Sequence, residues 1–525
     1  MLGFHRRTRS LIPVGELGKY DKVPLEEEET DVEDTTYEME LDSAPQTQNK
    51  ARQRQLILVY LLFLAEAIMA SSLQSQLQML ISGDEFCGNI STSYLSSILD
   101  CAYAFGGTTG IFWGYLADRM GRRRVTLLGL WAMFFCCLSM GFATNLASCT
   151  IFRYFAGLAS STVLVTTLTM LGDLSESSQA RAQNIARMPL IALFGSMGPI
   201  AQSMVSKSLR SSGVWEKYPV LSSQLVCGSL VLTIAVAASI LLEETLPSDS
   251  SRQTESMDMD CERAAFLADD CSETTIAVVD FVRPEPITIN QFLSAPSLMV
   301  LLASFSLLSL HASTFDVVLP HLGHSSSQHG GMGISCSWLG LTVLGVKGIA
   351  GIVLAFLIPA SIERYGLLKL YRTASVLFPA VYVITPLLAV AAASSSSFVA
   401  ITSTAALLVK HILAGGASIL VALLVLNTTP DAYSAGTVVG LMQVASLFKA
   451  LAVAVSGASF YLSSEVSVST TNFALWTCLT GFGAVGAALA YFVRERPSVE
   501  RDFPSEVLSW ETWFEYDLEK SEYDV

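Results

Sequence analysis

The stretch Gly114-Tyr115-Leu116-Ala117-Asp118-Arg119-Met120-Gly121-Arg122-Arg123-Arg124 sets one carboxylate among four guanidinium groups, with a glycine on either side. Gly114 lets a neighbouring helix approach closely, and Gly121 permits a tight turn. Asp118 and the arginines together make a charged latch at the end of whatever precedes them. An ordinary basic loop needs the arginines but not the ordered Gly, Asp and Gly. The residues on both sides are apolar: about Tyr94–Leu116 before the latch and Val125–Ala143 after it. Each run is close to the roughly 20 residues a helix needs to cross a bilayer.

Working outward, the same kind of run recurs. Four more occupy about Gln55–Leu80, Leu146–Leu171, Ile185–Val205 and Pro219–Leu242. Six more follow a long polar interval, at about Ser297–Pro320, Ser337–Ile358, Thr373–Ala393, Phe398–Leu426, Gly436–Leu462 and Asn472–Val493. Six spans, a polar linker and six spans form a two-fold repeat of hydropathy. The expected architecture is an all-α membrane protein of twelve transmembrane helices in two pseudo-symmetric six-helix bundles, because a barrel would show short alternating strands instead. The expected domains are an acidic tail (1–54), an N-terminal bundle (55–243), an acidic central loop (244–295), a C-terminal bundle (296–493) and a second acidic tail (494–525).

Composition agrees. Of 525 residues, 51% are hydrophobic and only 15% charged, with a mean hydropathy of +0.49. Soluble domains carry about a quarter of their residues as charges. The net charge of −15 leaves no basic stripe to neutralise phosphates, which argues against nucleic acid as a partner. The acidity is local, since residues 1–54, 243–296 and 494–525 hold 34 of the 46 acids and 15 of the 31 bases. The first tail has the composition of a disordered segment. The last contains Trp510, Trp513, Phe514 and Tyr516 among acids, which suits an exposed tail or a short amphipathic helix. Ten cysteines lack metal-ligand or disulfide spacing, and the charged N-terminus does not read as a signal peptide.

Orientation follows from basic residues in the connections. One side receives Arg119, Arg122, Arg123, Arg124, Arg181, Arg187, Arg364, Lys369 and Arg372, with both tails and the central loop; the other receives Lys207, Arg210 and Lys217. Both termini are therefore expected in the cytoplasm, in a plasma or vacuolar membrane. The sequon at Asn89 falls on the outer side and is expected to be glycosylated, whereas that at Asn427 falls inside and should stay bare.

The latch, between the second and third of twelve spans, resembles the signature of the major facilitator superfamily. A decayed copy (Pro359, Glu363, Arg364, Gly366, Lys369) follows span eight, as a repeat requires. Arg153 and Gly157 in span four, and Gly195, Gly198 and Pro199 in span five, resemble elements of its twelve-span drug:proton antiporter branch. Glu243-Glu244-Thr245-Leu246-Pro247 is also common there. Gln202-Ser203 replaces that branch's terminal glycine pair. Glu66, Gly172-Asp173, His311, Phe315-Asp316, Pro320, Gly330-Gly331, Asn427, Pro430, Gly436-Thr437 and Gly440 resemble the fungal and plant group of zinc-induced facilitator-like transporters. Val439 and Ala452-Val453 depart from its pattern. The resemblance implies that Gly114, Asp118, Arg119, Gly121, Arg122 and Arg123 form a cytoplasmic gate, holding the halves together in one state.

Charges inside the spans narrow the mechanism. Glu66, Asp100, Arg153, Asp316, Lys347, Lys410 and Lys449 fall within apolar runs, beside His311 and His411. Each costs on the order of 3 kcal/mol at mid-bilayer, so most must pair or face a wet cavity. Glu66, Lys347, Lys410 and Lys449 lie near the middle, where substrates of such transporters bind between the halves. Asp100, Arg153 and Asp316 lie nearer the outer ends and are expected to form an outer network. Glu66 is either a proton-exchanging carboxylate or half of a fixed ion pair with a lysine. Arg153 tunes a neighbouring carboxylate, and His311 with Asp316 offers a second proton pathway. Lys347 and Lys410 favour an anionic or zwitterionic solute. His321, His324 and His329 read as an exposed loop rather than a metal site.

No phosphate-binding Gly-x-x-x-x-Gly-Lys-Ser/Thr loop occurs, and no catalytic constellation. The expectation is a secondary transporter without cofactor or metal, acting as a monomer. It would export a small organic solute in exchange for protons. A proton-coupled importer on the same fold, or a transport-inactive sensor signalling through its tails, remain alternatives.

Overall fold

The computed structural model describes residues 34–72, 92–143, 145–198, 204, 218, 220–246, 296–324, 336–391, 396–429, 432–463 and 468–494. Asn89, Pro199, the side chains of His321 and His324, His329, residues 247–295 and the C-terminal tail from 495 lie outside them. Met1–Arg52 is one compact unit and Gln53–Val525 another.

Fifteen α-helices are described: α1 (Asp34–Ser71), α2 (Thr92–Gly107), α3 (Gly110–Met120), α4 (Arg122–Gly141), α5 (Leu146–Asp173), α6 (Ser178–Ala186), α7 (Met188–Ser196), α8 (Leu221–Leu241), α9 (Pro296–His324), α10 (Cys336–Tyr365), α11 (Leu367–Ala391), α12 (Ser396–Thr428), α13 (Ala435–Met442), α14 (Ala445–Ser463) and α15 (Val468–Phe492). Ten helices among the described residues are long and apolar enough to cross a membrane.

Among the described residues, spans two and five are the two of the twelve that are not among the ten, and each is divided. Span two is two helices, α2 and α3, interrupted at Thr108-Thr109, where both amides bond three residues back, to Phe105 and Gly106. Span five is likewise divided at Arg187, with a proline in the first turn of α7. Span eleven also breaks, between α13 and α14, where Gln443 and Val444 bond to Gly440 and Leu441. Tighter i→i+3 turns of this kind inside a helix locally change its direction.

Packing groups the helices. In the first half α5 contacts α2 and α4, and α4 contacts α8; in the second, α11 contacts α12 and α15, α9 contacts α15, and α10 contacts α12. Between the halves α2 lies along α14, α3 along α13, and α6 and α7 against α10. The α2–α5 crossing is tight because neither side has a side chain there. A Cβ at Gly157 would collide with the Tyr103 carbonyl, and one at Gly106 with the Tyr154 carbonyl. Gly157→Ala should therefore destabilise by about 1–3 kcal/mol, the usual cost of overpacking where backbone cannot yield. Thermal unfolding in detergent measures it, and an unchanged midpoint would contradict the packing.

Candidate functional site

The latch is built at the junction of α3 and α4. Gly121 takes a φ of 99°, and a side chain there would press on the Glu244 carboxylate. Glu244, just beyond α8, accepts from the amides of Arg122 (2.8 Å) and Arg123 (3.2 Å), capping the N-terminus of α4. Arg122 is fully buried and forms an ion pair with Asp173 at the end of α5. Thr245 donates to Asp173 (3.1 Å) and the Arg123 guanidinium to the Ser239 carbonyl (3.0 Å). Arg119 is exposed and lies over the Tyr115 ring.

Asp118 points elsewhere, across to the second half. Its carboxylate accepts from the Gly436 amide (2.9 Å), the Thr437 amide (2.6 Å) and the Thr437 hydroxyl (2.8 Å), with Arg122 at 3.9 Å. Those amides open α13, so a buried anion sits at a helix N-terminus, where the orphan N–H groups favour negative charge. Gly114 makes the approach possible, since a Cβ there would strike the Gly436 carbonyl. Nearby, Arg181 donates to Asn427 (3.0 Å), the sequon expected to stay bare.

In the first half, Glu66 of α1 accepts from the Ser160 hydroxyl (2.7 Å) and the Tyr103 hydroxyl (3.4 Å). Tyr103 also donates to Ser160 (2.7 Å), so α1, α2 and α5 meet in one polar knot. Arg153 is buried, two turns before Ser160 on α5. Its guanidinium donates to the carbonyls of Met69 (3.3 Å) and Ala70 (2.9 Å), stacks over the Tyr103 ring (4.1 Å) and lies 3.8 Å from Asp100. Gly195 of α7 packs on Ala67 beside Glu66, with its carbonyl accepting from Ser71 (3.0 Å), and Gly198 faces Ile68.

In the second half, Asp316 of α9 is paired with Lys410 of α12, which also lies 5.0 Å from the Phe315 ring centroid. Lys347 and His411 act electrostatically on the same carboxylate. His311 is buried and hydrogen-bonded through Nδ1 to the Tyr382 hydroxyl (2.5 Å). It borders a small polar cavity with Ser304, Tyr371 and Ser375. The outer network expected from sequence depth is thus divided: Asp100 and Arg153 meet in the first half, while Asp316 pairs within the second. His311 and Asp316, five residues apart, face different partners.

Lys347 and Lys449 are exposed although they lie mid-span, and Asp316, nearer the end of its span, is exposed too. Lys449 of α14 acts electrostatically on Glu66 of α1, across the halves. Tyr103, Ser160, Tyr382, Thr437 and Glu244 have roles here that their sequence context did not announce. Glu244, within Glu243-Glu244, and Thr437, within Gly436-Thr437, were visible only as parts of a family pattern.

The family model described as Major Facilitator Superfamily matches residues 56–454. The chain belongs to the Major Facilitator Superfamily. As a facilitator-superfamily protein it is an integral, multi-pass transporter of small solutes. The Aspergillus fumigatus protein named Major facilitator superfamily multidrug transporter mfsB is 22% identical over 467 residues, covering 75% of each chain. Efflux pump azaK of Aspergillus niger is 28% identical over 134 residues, 25% of this chain and 28% of the pump. Two solved facilitator structures share the fold. The human organic anion transporter MFSD10 has a TM-score of 0.57 at 17% identity, covering 84% of this chain and 99% of its own. The proton:xylose symporter XylE has 0.61 at 12%, covering 85% and 97%.

Proposed function

We propose that this facilitator-superfamily member exports a small organic solute carrying negative charge in exchange for protons, with both tails and the latch in the cytoplasm. The observation that carries the reading is the set of charges inside the spans. With the histidines neutral, Glu66, Asp100 and Asp316 balance three of the four bases Arg153, Lys347, Lys410 and Lys449. One positive charge is left over where an ion costs on the order of 3 kcal/mol, and an anionic solute offsets it. Glu66 is the proton carrier in this scheme. It is held by two hydroxyls in its own half and faced by Lys449 of the other. When the halves rock and Lys449 moves away, the carboxylate loses its counter-charge and takes up a proton, which it releases as Lys449 returns. Two relatives named as a multidrug transporter and an efflux pump support the direction of transport.

Purified protein in liposomes, offered a panel of labelled organic anions, cations and neutral compounds under an imposed pH gradient, tests the scheme. Anions should move against the proton flow from the latch side. Movement that ignores the gradient would make the protein a facilitator, and movement with the protons an importer. Lys347 is the base whose charge is least committed, being exposed and without a hydrogen bond among the described residues. Lys347→Gln should raise KM for the transported anion about tenfold, worth about 1.4 kcal/mol, and leave neutral compounds unaffected. Equal KM in the variant would remove this lysine from solute recognition.

A further inference from the structure

Three sulfur atoms converge in the outer part of the first bundle, apart from the charged residues assigned above. Met69 ends the membrane run of α1, Cys137 lies in α4 and Cys227 in α8. The Cys137 Sγ is 3.3 Å from the Met69 Sδ and 3.6 Å from the Cys227 Sγ. Both thiols are 0% exposed and Met69 is 3% exposed. Among the described residues the two thiols have only sulfur as hydrogen-bond partners, and both cysteines are free. The helices approach closely because Gly228, next to Cys227, would carry a Cβ in ordinary contact with that of Cys137.

From this geometry we infer that Met69, Cys137 and Cys227 form a binding site for a soft monovalent cation, Cu(I) being the ion of that class available under reducing conditions. Two thiolates and a thioether are the donor set that selects Cu(I) over harder ions. The Cys137 sulfur is the common neighbour, 3.3 Å from Met69 and 3.6 Å from Cys227. Metal–sulfur bonds of about 2.3 Å place three sulfurs in a plane about 4 Å apart, so the Cys137 sulfur must draw back by about 0.7 Å from Met69 and about 0.4 Å from Cys227 to admit the ion. Binding exchanges two thiol protons for one cation, with no electron transferred. The loaded site then carries one net negative charge. Arg153 acts electrostatically on Cys137, and its guanidinium donates to the Met69 carbonyl. Tetrahedral Zn(II), which prefers four ligands, finds only three here. Burial shields the thiols from bulky oxidants, and their separation is a contact, not a bond. The site does not depend on the solute or on proton coupling.

The test uses full-length protein in detergent under reducing conditions, titrated with Cu(I) against a colorimetric Cu(I) chelator. The parent should bind one equivalent more than Cys137→Ala or Cys227→Ala, which keeps the other eight cysteines as a common background. Met69→Leu, nearly equal in volume, should retain that equivalent with at least tenfold weaker affinity. Zn(II) at the same concentration should not displace it. X-ray absorption on the loaded parent should show a sulfur-only first shell at about 2.3 Å, which reads the site even if an alanine variant fails to fold. Equal stoichiometry in parent and cysteine variants, or nitrogen and oxygen in the first shell, overturns the inference. So does a Cys137–Cys227 disulfide found by mass spectrometry in the reduced preparation.

Discussion

Asp118→Asn should lower solute flux about 100-fold while the protein still folds. The carboxylate accepts three hydrogen bonds from α13, and an amide keeps one oxygen acceptor while turning its NH2 group on the remaining donors. Hydrogen bonds to a charged group contribute about 1.5–3 kcal/mol each, so losing two shifts the latched state by about 3–6 kcal/mol. Only the state in which α3 meets α13 bears that loss, so the balance between conformations moves rather than the fold. Hydrogen exchange of the peptide containing Gly436 and Thr437 checks this without knowledge of the solute. Their amides should exchange faster in the variant by a similar factor, and unchanged protection would mean that Asp118 does not hold the two halves.

Glu66→Gln should abolish the response to pH while sparing solute exchange. Glutamine still accepts from Ser160 and Tyr103 through its oxygen, so the polar knot of α1, α2 and α5 persists. It cannot gain or lose a proton. Flux driven by a pH gradient should fall at least about 100-fold, the lower end of what a single positioned acid–base group contributes. Counterflow of labelled against unlabelled solute, which needs no net proton movement, should stay within about threefold. Gradient-driven flux of normal size in the variant would move proton exchange to another group.

The latch was legible in the sequence because its parts are rare in an apolar setting: a run of arginines, one carboxylate and glycines at fixed offsets. Its partners were harder to see. Gly436 and Thr437 lie more than 300 residues away, and two of their three bonds come from backbone amides, which every residue owns. Glu66 and Arg153 stood out as charges, but Tyr103 and Ser160, which hold Glu66, are ordinary residues of spans two and four. Depth along a span told how far in Asp316 lies, not which way it turns. That is set by the rotation of α9 against α12, and it brings Asp316 to Lys410 instead of to Arg153. The division of span two at Thr108-Thr109 did have a signal, the Gly106-Gly107 pair and Gly110 around it. An uninterrupted run of hydropathy concealed it.

The interruption at Thr108-Thr109 in span two and that at Gln443-Val444 in span eleven lie opposite each other along one seam. Each rod is thereby cut into an inner and an outer piece, and the pieces meet pairwise, α2 with α14 and α3 with α13. A seam jointed at a single height need not part along its whole length. The inner pair can unbutton when Asp118 lets go while the outer pair stays shut, and the outer pair can part while the inner is fastened. A leak through both ends at once would then require two independent failures.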